Sequence, residues 1–178
     1  MILNNKILKG ERIYLRSMTS ADASLVYASW LNDKEVNKFL ATKSATVAEL
    51  EEYISKKNSQ SDALHLGIFL KDNDQHIGTV KLEPIDSVNK KATIAIMIGD
   101  KASWGKGFAK EAMKVLIDYA LKELKIEEIN LGVLLQNENA IKAYKKLGFQ
   151  ETRREMKSVK YPNGVFDQIW MSYKKISL

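Results

Sequence analysis

The chain of 178 residues is long enough for one domain, and 45% hydrophobic with 28% charged residues is the composition of a soluble globular protein. It has no cysteine and two histidines, which excludes disulfides, thiol nucleophiles and metal centres built from cysteine or several histidines. The net charge of +6 favours a polyanionic partner, but the basic residues are scattered rather than clustered as on a nucleic-acid-binding face. We therefore expect a single domain over residues 1–178, with no metal and no nucleic-acid partner.

The longest apolar run, at residues 92–99, is far shorter than the roughly 20 residues that a membrane-spanning helix needs. The first residues also lack the continuous apolar core of a secretory signal. These two features predict a cytoplasmic protein with no membrane partner.

In the first half of the chain, hydrophobic periodicity predicts a strand, two helices and a three-stranded meander. The strand covers residues 11–16, the helices 20–31 and 46–57, and the meander strands 64–71, 76–83 and 91–98. Thr46 and Glu49 have the spacing of a capping box, in which each side chain bonds the backbone N–H of the other residue. We expect the three meander strands to pair antiparallel.

The second half predicts a long helix, a strand, a short helix and a hairpin. The helices cover residues 109–124 and 138–147, and the strands cover 128–135, 149–160 and 165–174. Gly148 is expected to end the short helix, and Asn163-Gly164 is a hairpin turn signal. The total is a mixed α/β fold, mostly antiparallel, with strand–helix–strand crossovers in the middle.

A glycine-spaced loop connects the last meander strand to the long helix, with the sequence Trp104-Gly105-Lys106-Gly107-Phe108-Ala109. Unpaired N–H groups at a helix N-terminus attract an anion, and glycines let it approach the backbone, so the expected ligand is a pyrophosphate. The loop lacks the Ser or Thr of a Walker A motif and the third glycine of a dinucleotide fingerprint. The alternative is a glycine-rich turn that caps the helix without a ligand.

Asn137 and Tyr144 lie seven residues apart on the predicted short helix, so their side chains share one face, two turns apart. An amide and a phenol could therefore contact one ligand. For Tyr144 taken alone, the alternative role is that of a packed aromatic side chain.

The glycine-spaced loop, followed along the chain by the segment with Asn137 and Tyr144, resembles the GNAT superfamily of acetyl-CoA-dependent N-acetyltransferases, most closely its RimJ/RimL-like branch. The resemblance covers nearly the whole chain and includes the motifs GERIYLR at 10–16, WLND at 30–33, IGT at 77–79, WGKGFAKEA at 104–112, and NENAI with YKKLGF within 137–149. It implies a GNAT-like central, mostly antiparallel twisted sheet of about seven strands. Helices would cover both faces, and two neighbouring strands would splay apart at the cofactor site.

The resemblance also implies roles for individual residues. Backbone amides from Gly105 to Ala109 would hold the pyrophosphate of CoA, and Asn137 would bond the pantetheine arm. Tyr144 would be the general acid that protonates the leaving CoA thiolate, since a phenol of pKa about 10 can give up a proton as a thiolate of pKa about 8.5 forms. The implied cofactor-binding residues are Met97, Ile98, Trp104, Gly105, Lys106, Gly107, Phe108, Ala109 and Asn137.

The general base is not assigned by the resemblance, because several relatives carry a glutamate near the start of the strand where this chain has Thr93. Glu83, at the end of the preceding strand, is the candidate for direct or water-relayed base catalysis. The alternative for Glu83 is a solvated carboxylate before Pro84.

These features predict an acetyl-CoA-dependent N-acetyltransferase in which a neutral primary amine attacks the thioester directly. A missing base favours weakly basic acceptors, such as an amino sugar or a protein N-terminus, because more of their amine is neutral at pH 7. The alternative is a non-catalytic acyl-CoA-binding regulatory module. The C-terminal edge strands could also pair across a two-fold axis to form a homodimer.

Overall fold

Eight strands form one sheet in the computed structural model, which describes residues 7–162 and 164–175. The strands are β1 Leu8–Lys9, β2 Ile13–Ser17, β3 Leu64–Leu70, β4 His76–Asp86, β5 Lys91–Ile98, β6 Glu128–Leu134, β7 Gln150–Tyr161 and β8 Gly164–Lys174. Their order across the sheet is β1-β2-β3-β4-β5-β6-β8-β7. All neighbours pair antiparallel except β5 and β6, which are parallel. The mostly antiparallel mixed sheet is confirmed, with one more strand than the predicted seven because the two-residue β1 pairs with β2.

The described residues include four α-helices, and three of them begin at a side-chain cap. They are α1 Leu25–Asn32, α2 Val47–Ser59, α3 Phe108–Lys122 and α4 Glu138–Lys146. At α2 the predicted capping box is present, with Thr46 Oγ1 accepting from Glu49 N at 3.2 Å. The predicted first helix begins later than residue 20, because a short 3₁₀ turn ends at Ala23 and Ser24 then caps α1.

Both faces of the sheet are covered by helices. Strand β3 shows this directly, because its residues are buried at every position from Leu64 to Phe69. Leu66 belongs to the larger apolar core with α3, whereas the adjacent His65 turns to the other face and meets the ring of Tyr53 on α2. Successive strand side chains point to opposite faces, so α3 lies on one side and α2 on the other.

The sheet opens between β5 and β6. The two strands share three register pairs, Lys91 with Glu128, Ala92 with Ile129 and Thr93 with Asn130. Beyond Thr93 no register pair joins them within the described residues, although both strands continue. The predicted splay between neighbouring strands is therefore confirmed.

Two strand ends differ from the sequence prediction. Strand β4 continues past Glu83 to Asp86: Pro84 has no N–H for the ladder, but pairing resumes at Ile85 opposite Ala92. In the C-terminal hairpin, Tyr161 pairs with Gly164, while Asn163 of the predicted turn lies outside the described residues.

Two findings concern residues 7–162 and 164–175 as a whole. No helix in these ranges combines the length and the apolar character needed to cross a membrane. In the same ranges, no group of three His, Asp or Glu side chains lies close enough together to hold a metal ion.

Leu116 tests the contribution of α3 to the core. Its side chain is fully buried between α3 and the sheet, so Leu116→Ala should lower the free energy of unfolding by about 3 kcal/mol through lost apolar contact and a cavity. The measurement is urea denaturation followed by circular dichroism.

Val88→Ala is the control, because Val88 is 90% exposed in the β4–β5 turn and its truncation should change stability by less than about 0.5 kcal/mol. Equal effects of the two substitutions would contradict the described packing of α3.

Candidate active site

A cavity of about 630 Å³ lies where β5 and β6 diverge. Residues 94–97 of β5 and 131–134 of β6 form its two strand walls. Side chains of α1, α2 and the segment before α2 line the opposite side, and Tyr161 and Gln168 of the C-terminal hairpin complete it. The cavity is large enough for a small organic ligand, and it lies at the chain's only parallel strand pair within the described sheet.

Strand β5 presents unpaired peptide groups to this cavity. Gly99 N donates to Ile77 O at 2.9 Å beside the Gly78–Ile98 pair, so Ile98 occupies a position whose own N–H and C=O point away from β4. The alternation places Ile96 in the same orientation, and no register pair joins Ile96 to β6. Ile96, which the sequence analysis did not select, therefore carries the peptide edge that a ligand can pair with.

Met97 and Ile98 have different positions at this strand end. The Met97 side chain lines the cavity. The carbonyl oxygen of Ile98 accepts a hydrogen bond from the indole Nε1 of Trp104 at 2.8 Å. This bond ties the glycine-spaced loop to the end of β5 and leaves the Trp104 side chain 38% exposed.

The loop between β5 and α3 has the geometry of an anion site. Gly105 and Gly107 have φ angles of +72° and +82°, which glycine adopts without strain. Glu111 N, bonded to Gly107 O at 3.1 Å, is the first amide of this stretch with a backbone acceptor, so the N–H groups from Gly105 to Lys110 have none in the described structure. A Cβ built on Gly105 would have no atom within 4 Å. The unpaired amides therefore lie at the N-terminus of α3, with open space beside Gly105.

Arg12 and Glu111 hold this loop in place through an ion pair and hydrogen bonds. The sequence analysis did not pair these two residues. Arg12 donates from Nη1 to Lys106 O and from Nε to Glu111 Oε2, both at 3.0 Å, and its guanidinium lies 4.6 Å from the centre of the Phe108 ring. Glu111 Oε1 also accepts from the backbone N–H of Arg12 at 2.7 Å and of Ile13 at 3.2 Å. Burial alone would raise the pKa of Glu111, but these bonds to Arg12 and Ile13 lower it below its usual value.

Tyr144 and Asn137 both line the cavity, as their shared helix face predicts. Tyr144 is half-buried, packs near Phe149 at a ring distance of 6.1 Å, and burial raises the pKa of its phenol to about 12. The phenol is therefore protonated at neutral pH. Asn137 Oδ1 caps α4 by accepting from Ala140 N at 3.4 Å, which leaves its amide Nδ2 as a donor for a ligand.

Glu83 is not among the residues that line the cavity. One of its carboxylate oxygens is ion-paired with Lys57, and the other lies 4.0 Å from the ammonium of Lys81. The structure therefore places Glu83, the predicted base, between Lys57 and Lys81 and outside the cavity lining that contains Tyr144.

Sequence reasoning missed a polar wall of the cavity, which we name the α2-side wall and define as Glu49, Tyr53, His65 and Lys81. These residues come from α2, β3 and β4, so no local spacing connects them. One signal was available: His65 is a polar residue inside the otherwise apolar segment LHLGIFL of β3.

The comparisons with known proteins agree with this geometry. A family model described as "Acetyltransferase (GNAT) domain" matches residues 12–150. The chain is 35% identical over 145 residues to a Bacillus licheniformis protein named "Uncharacterized N-acetyltransferase p20", covering 79% of this chain and 80% of that protein. It is 32% identical over 169 residues to the Bacillus subtilis protein named "Probable N-acetyltransferase YjcK", covering 90% and 92% respectively.

A solved structure has the same fold. The spermidine N-acetyltransferase from Vibrio cholerae, in complex with CoA and spermine, matches with a TM-score of 0.83 and 22% identity, covering 92% of this chain and 95% of that chain. None of these matches supports a non-catalytic acyl-CoA-binding module.

The residues present fit acetyl-CoA, because the loop offers unpaired amides to a pyrophosphate and β5 offers an unpaired peptide edge beside a cavity. Family, fold and relatives' names agree on the reaction class. The chain therefore belongs to the GNAT family and is an N-acetyltransferase, with acetyl-CoA as its co-substrate.

Proposed function

We propose that this enzyme transfers the acetyl group of acetyl-CoA to a primary amine, of a small molecule or of a protein N-terminus, in the cavity between β5 and β6. The observation that carries the proposal is the position of Tyr144, whose protonated phenol lines the same cavity as the unpaired edge of β5. A proton donor beside the strand edge suits the departure of a thiolate.

For the co-substrate, we propose that the backbone amides from Gly105 to Ala109 bind the pyrophosphate of CoA. Lys106 lies among these amides and is exposed. Trp104 precedes them, and its indole N–H donates to the Ile98 carbonyl. Phe108 is the first residue of α3, and its ring packs against the Arg12 guanidinium. Acetyl-CoA supplies the acetyl group already activated as a thioester.

Inside the cavity, we propose that Ile96, Met97 and the amide of Asn137 contact the pantetheine arm. Tyr144 donates the proton to the leaving sulfur. Glu83 stays a predicted base, and its ion pairs with Lys57 and Lys81 support a charge-balancing role beside the acceptor site. A neutral amine attacks without prior deprotonation, and its nitrogen then loses one proton as the amide forms. Because Glu83 does not line the cavity, a water molecule would carry this proton to Glu83 or to solvent.

Four further predictions belong to this proposal, and they concern the branch of the family, the number of domains, the location and the oligomeric state. The five motifs in register support the RimJ/RimL-like branch, and one sheet continuous from Leu8 to Lys174 supports a single domain over residues 1–178. We also propose a cytoplasmic location, on the sequence patterns given above. A homodimer would form through the outer strand β7, which lies at the sheet edge.

The proposed function is tested by release of free CoA thiol from acetyl-CoA. The purified protein is assayed against peptides with free N-termini, amino sugars, amino acids and polyamines. We expect turnover with at least one amine class, whereas no turnover with any class would overturn the proposal.

Tyr144→Phe removes the proton donor and keeps the ring. Its kcat should fall about a hundred-fold, the usual contribution of a general acid, while the Kd for acetyl-CoA should change by less than about two-fold. Steady-state kinetics and calorimetry measure the two quantities.

Tyr14→Phe is the matched control, because Tyr14 on β2 donates its hydroxyl to Asp74 in the β3–β4 turn and does not line the cavity. A Tyr144→Phe enzyme with unchanged kcat and weaker acetyl-CoA binding would remove Tyr144 from the acid role.

Glu111→Gln tests whether the contacts beneath the loop prepare it for CoA. The variant loses the charge that holds Arg12, so the loop amides should be less well ordered, and the KM for acetyl-CoA should rise about ten-fold. The kcat at saturating acetyl-CoA should stay within about two-fold, because Glu111 does not line the cavity.

Glu127→Gln is the control substitution, since Glu127 pairs with Lys90 at an exposed turn and neither residue lines the cavity. An unchanged KM in Glu111→Gln, with lowered thermal stability alone, would show that the Arg12–Glu111 pair serves only folding.

A further inference from the structure

The α2-side wall contains one ammonium group that projects from the sheet into the cavity. Lys81 on β4 pairs across the sheet with His65 on β3 and with Ala95 on β5, and all three residues line the cavity. Cross-strand partners point to the same face of a sheet. The Lys81 side chain is 40% exposed and is one of the side chains that line the cavity.

Of the carboxylates at this wall, Glu83 is ion-paired, and Glu49 has one of its two oxygens hydrogen-bonded. Glu83 forms a close and mostly buried ion pair with Lys57, and its other carboxylate oxygen lies 4.0 Å from the ammonium of Lys81. Glu83, Lys57 and Lys81 together therefore carry one excess positive charge. Glu49 Oε2 accepts from the backbone N–H of Thr46 at 2.7 Å and from its hydroxyl at 2.9 Å. These bonds at the N-terminus of α2 hold the pKa of Glu49 below its usual value and stabilise its charge without a cation.

His65 adds a neutral hydrogen-bonding group beside Lys81. It is 5% exposed, and its Nδ1 is buried without a hydrogen-bond partner among the described residues. Burial, together with the charges of Lys81 and Lys57, lowers the pKa of His65 to about 4, so the ring is neutral near pH 7. A neutral imidazole supplies one N–H donor and one acceptor.

A second cation lies behind the opposite wall. The ammonium of Lys43 is 4.9 Å from the centre of the Tyr161 ring, and Tyr161 lines the cavity. Lys43 is held there by hydrogen bonds to Asn37 O at 2.7 Å and Lys38 O at 3.2 Å. The charge of Lys43, held in place by these bonds, adds to the positive potential in the part of the cavity where the acceptor would bind.

We propose that the acceptor is an amine that also carries an anionic group, a carboxylate or a phosphate, and that Lys81 binds this group with His65 and Tyr53 beside it. A polyammonium acceptor would meet Lys81, and in the cavity lining it would find one carboxylate, that of Glu49, to balance its several charges. The inference rests on the proposed function and narrows its acceptor to one class of amine.

The test compares acceptors that differ only in the anionic group. Glucosamine 6-phosphate is compared with glucosamine, and glycylglycine with glycylglycinamide, while spermidine represents polyamines; kcat/KM is measured by thiol release. The anionic member of at least one pair should react with about ten-fold higher kcat/KM than its neutral partner, as expected for a hydrogen bond to a charged group.

Lys81→Met should reduce this preference to about one, by lowering kcat/KM for the anionic acceptor and leaving that for its neutral partner within about two-fold. Lys122→Met is the matched control, because Lys122 is exposed at the end of α3 on the other face of the sheet. Calorimetry with acetyl-CoA checks that Lys81→Met still folds and binds the co-substrate.

The outcomes separate the two proposals. Turnover of neutral amines or spermidine at rates equal to or above those of the anionic members overturns the anionic-acceptor inference and leaves the proposed function intact. A preference that survives Lys81→Met also overturns the inference. Absence of turnover with every amine, anionic, neutral and cationic, overturns the proposed function and the inference with it.

Discussion

The divergence of β5 and β6 after Thr93 is the constraint on which the site depends. Strand β5 stays bound to β4 on one side as far as Ile98, while its other edge loses β6 after three register pairs. Buried peptide groups without partners are costly, so this edge is stable only where it faces solvent or a ligand. The same divergence creates the cavity, and it brings Tyr144, on the helix after β6, to face the open edge of β5.

The loop at the end of β5 extends this geometry to the N-terminus of α3. Trp104 bonds the Ile98 carbonyl, and Arg12 bonds the Lys106 carbonyl and the Glu111 carboxylate, so the loop is attached to the end of β5 and to the residue before β2. The free amides are thereby presented by a fixed backbone rather than by a mobile turn. Preorganised donors lose little conformational freedom when an anion binds, which strengthens binding.

Local patterns in the sequence predicted most of the fold, because period-two and period-3.6 patterns depend on near neighbours along the chain. They gave the capping box at Thr46, the long helix, the short helix with Tyr144 and the C-terminal hairpin. They missed contacts between distant segments: Arg12 with Glu111, 99 positions apart, and Lys57 with Glu83. The family resemblance predicted the splay, but Ile96 was identified only from the register of β4 and β5.

The ion-pair and hydrogen-bond partners of the ionisable side chains around the site affect which of them can accept or donate a proton. The carboxylates near the loop and the cavity are engaged: Glu111 by Arg12, Glu83 by Lys57, and Glu49 by Thr46. The hydrogen bonds of Glu111 and Glu49 lower the pKa of both carboxylates, so each is a weaker base than a free carboxylate. Burial keeps the phenol of Tyr144 protonated at neutral pH, so its proton is present when the thiolate leaves. We propose that such a site, with Tyr144 as its acid, suits an acceptor that arrives with a neutral amine, so that the acceptor's own basicity sets the pH at which transfer begins.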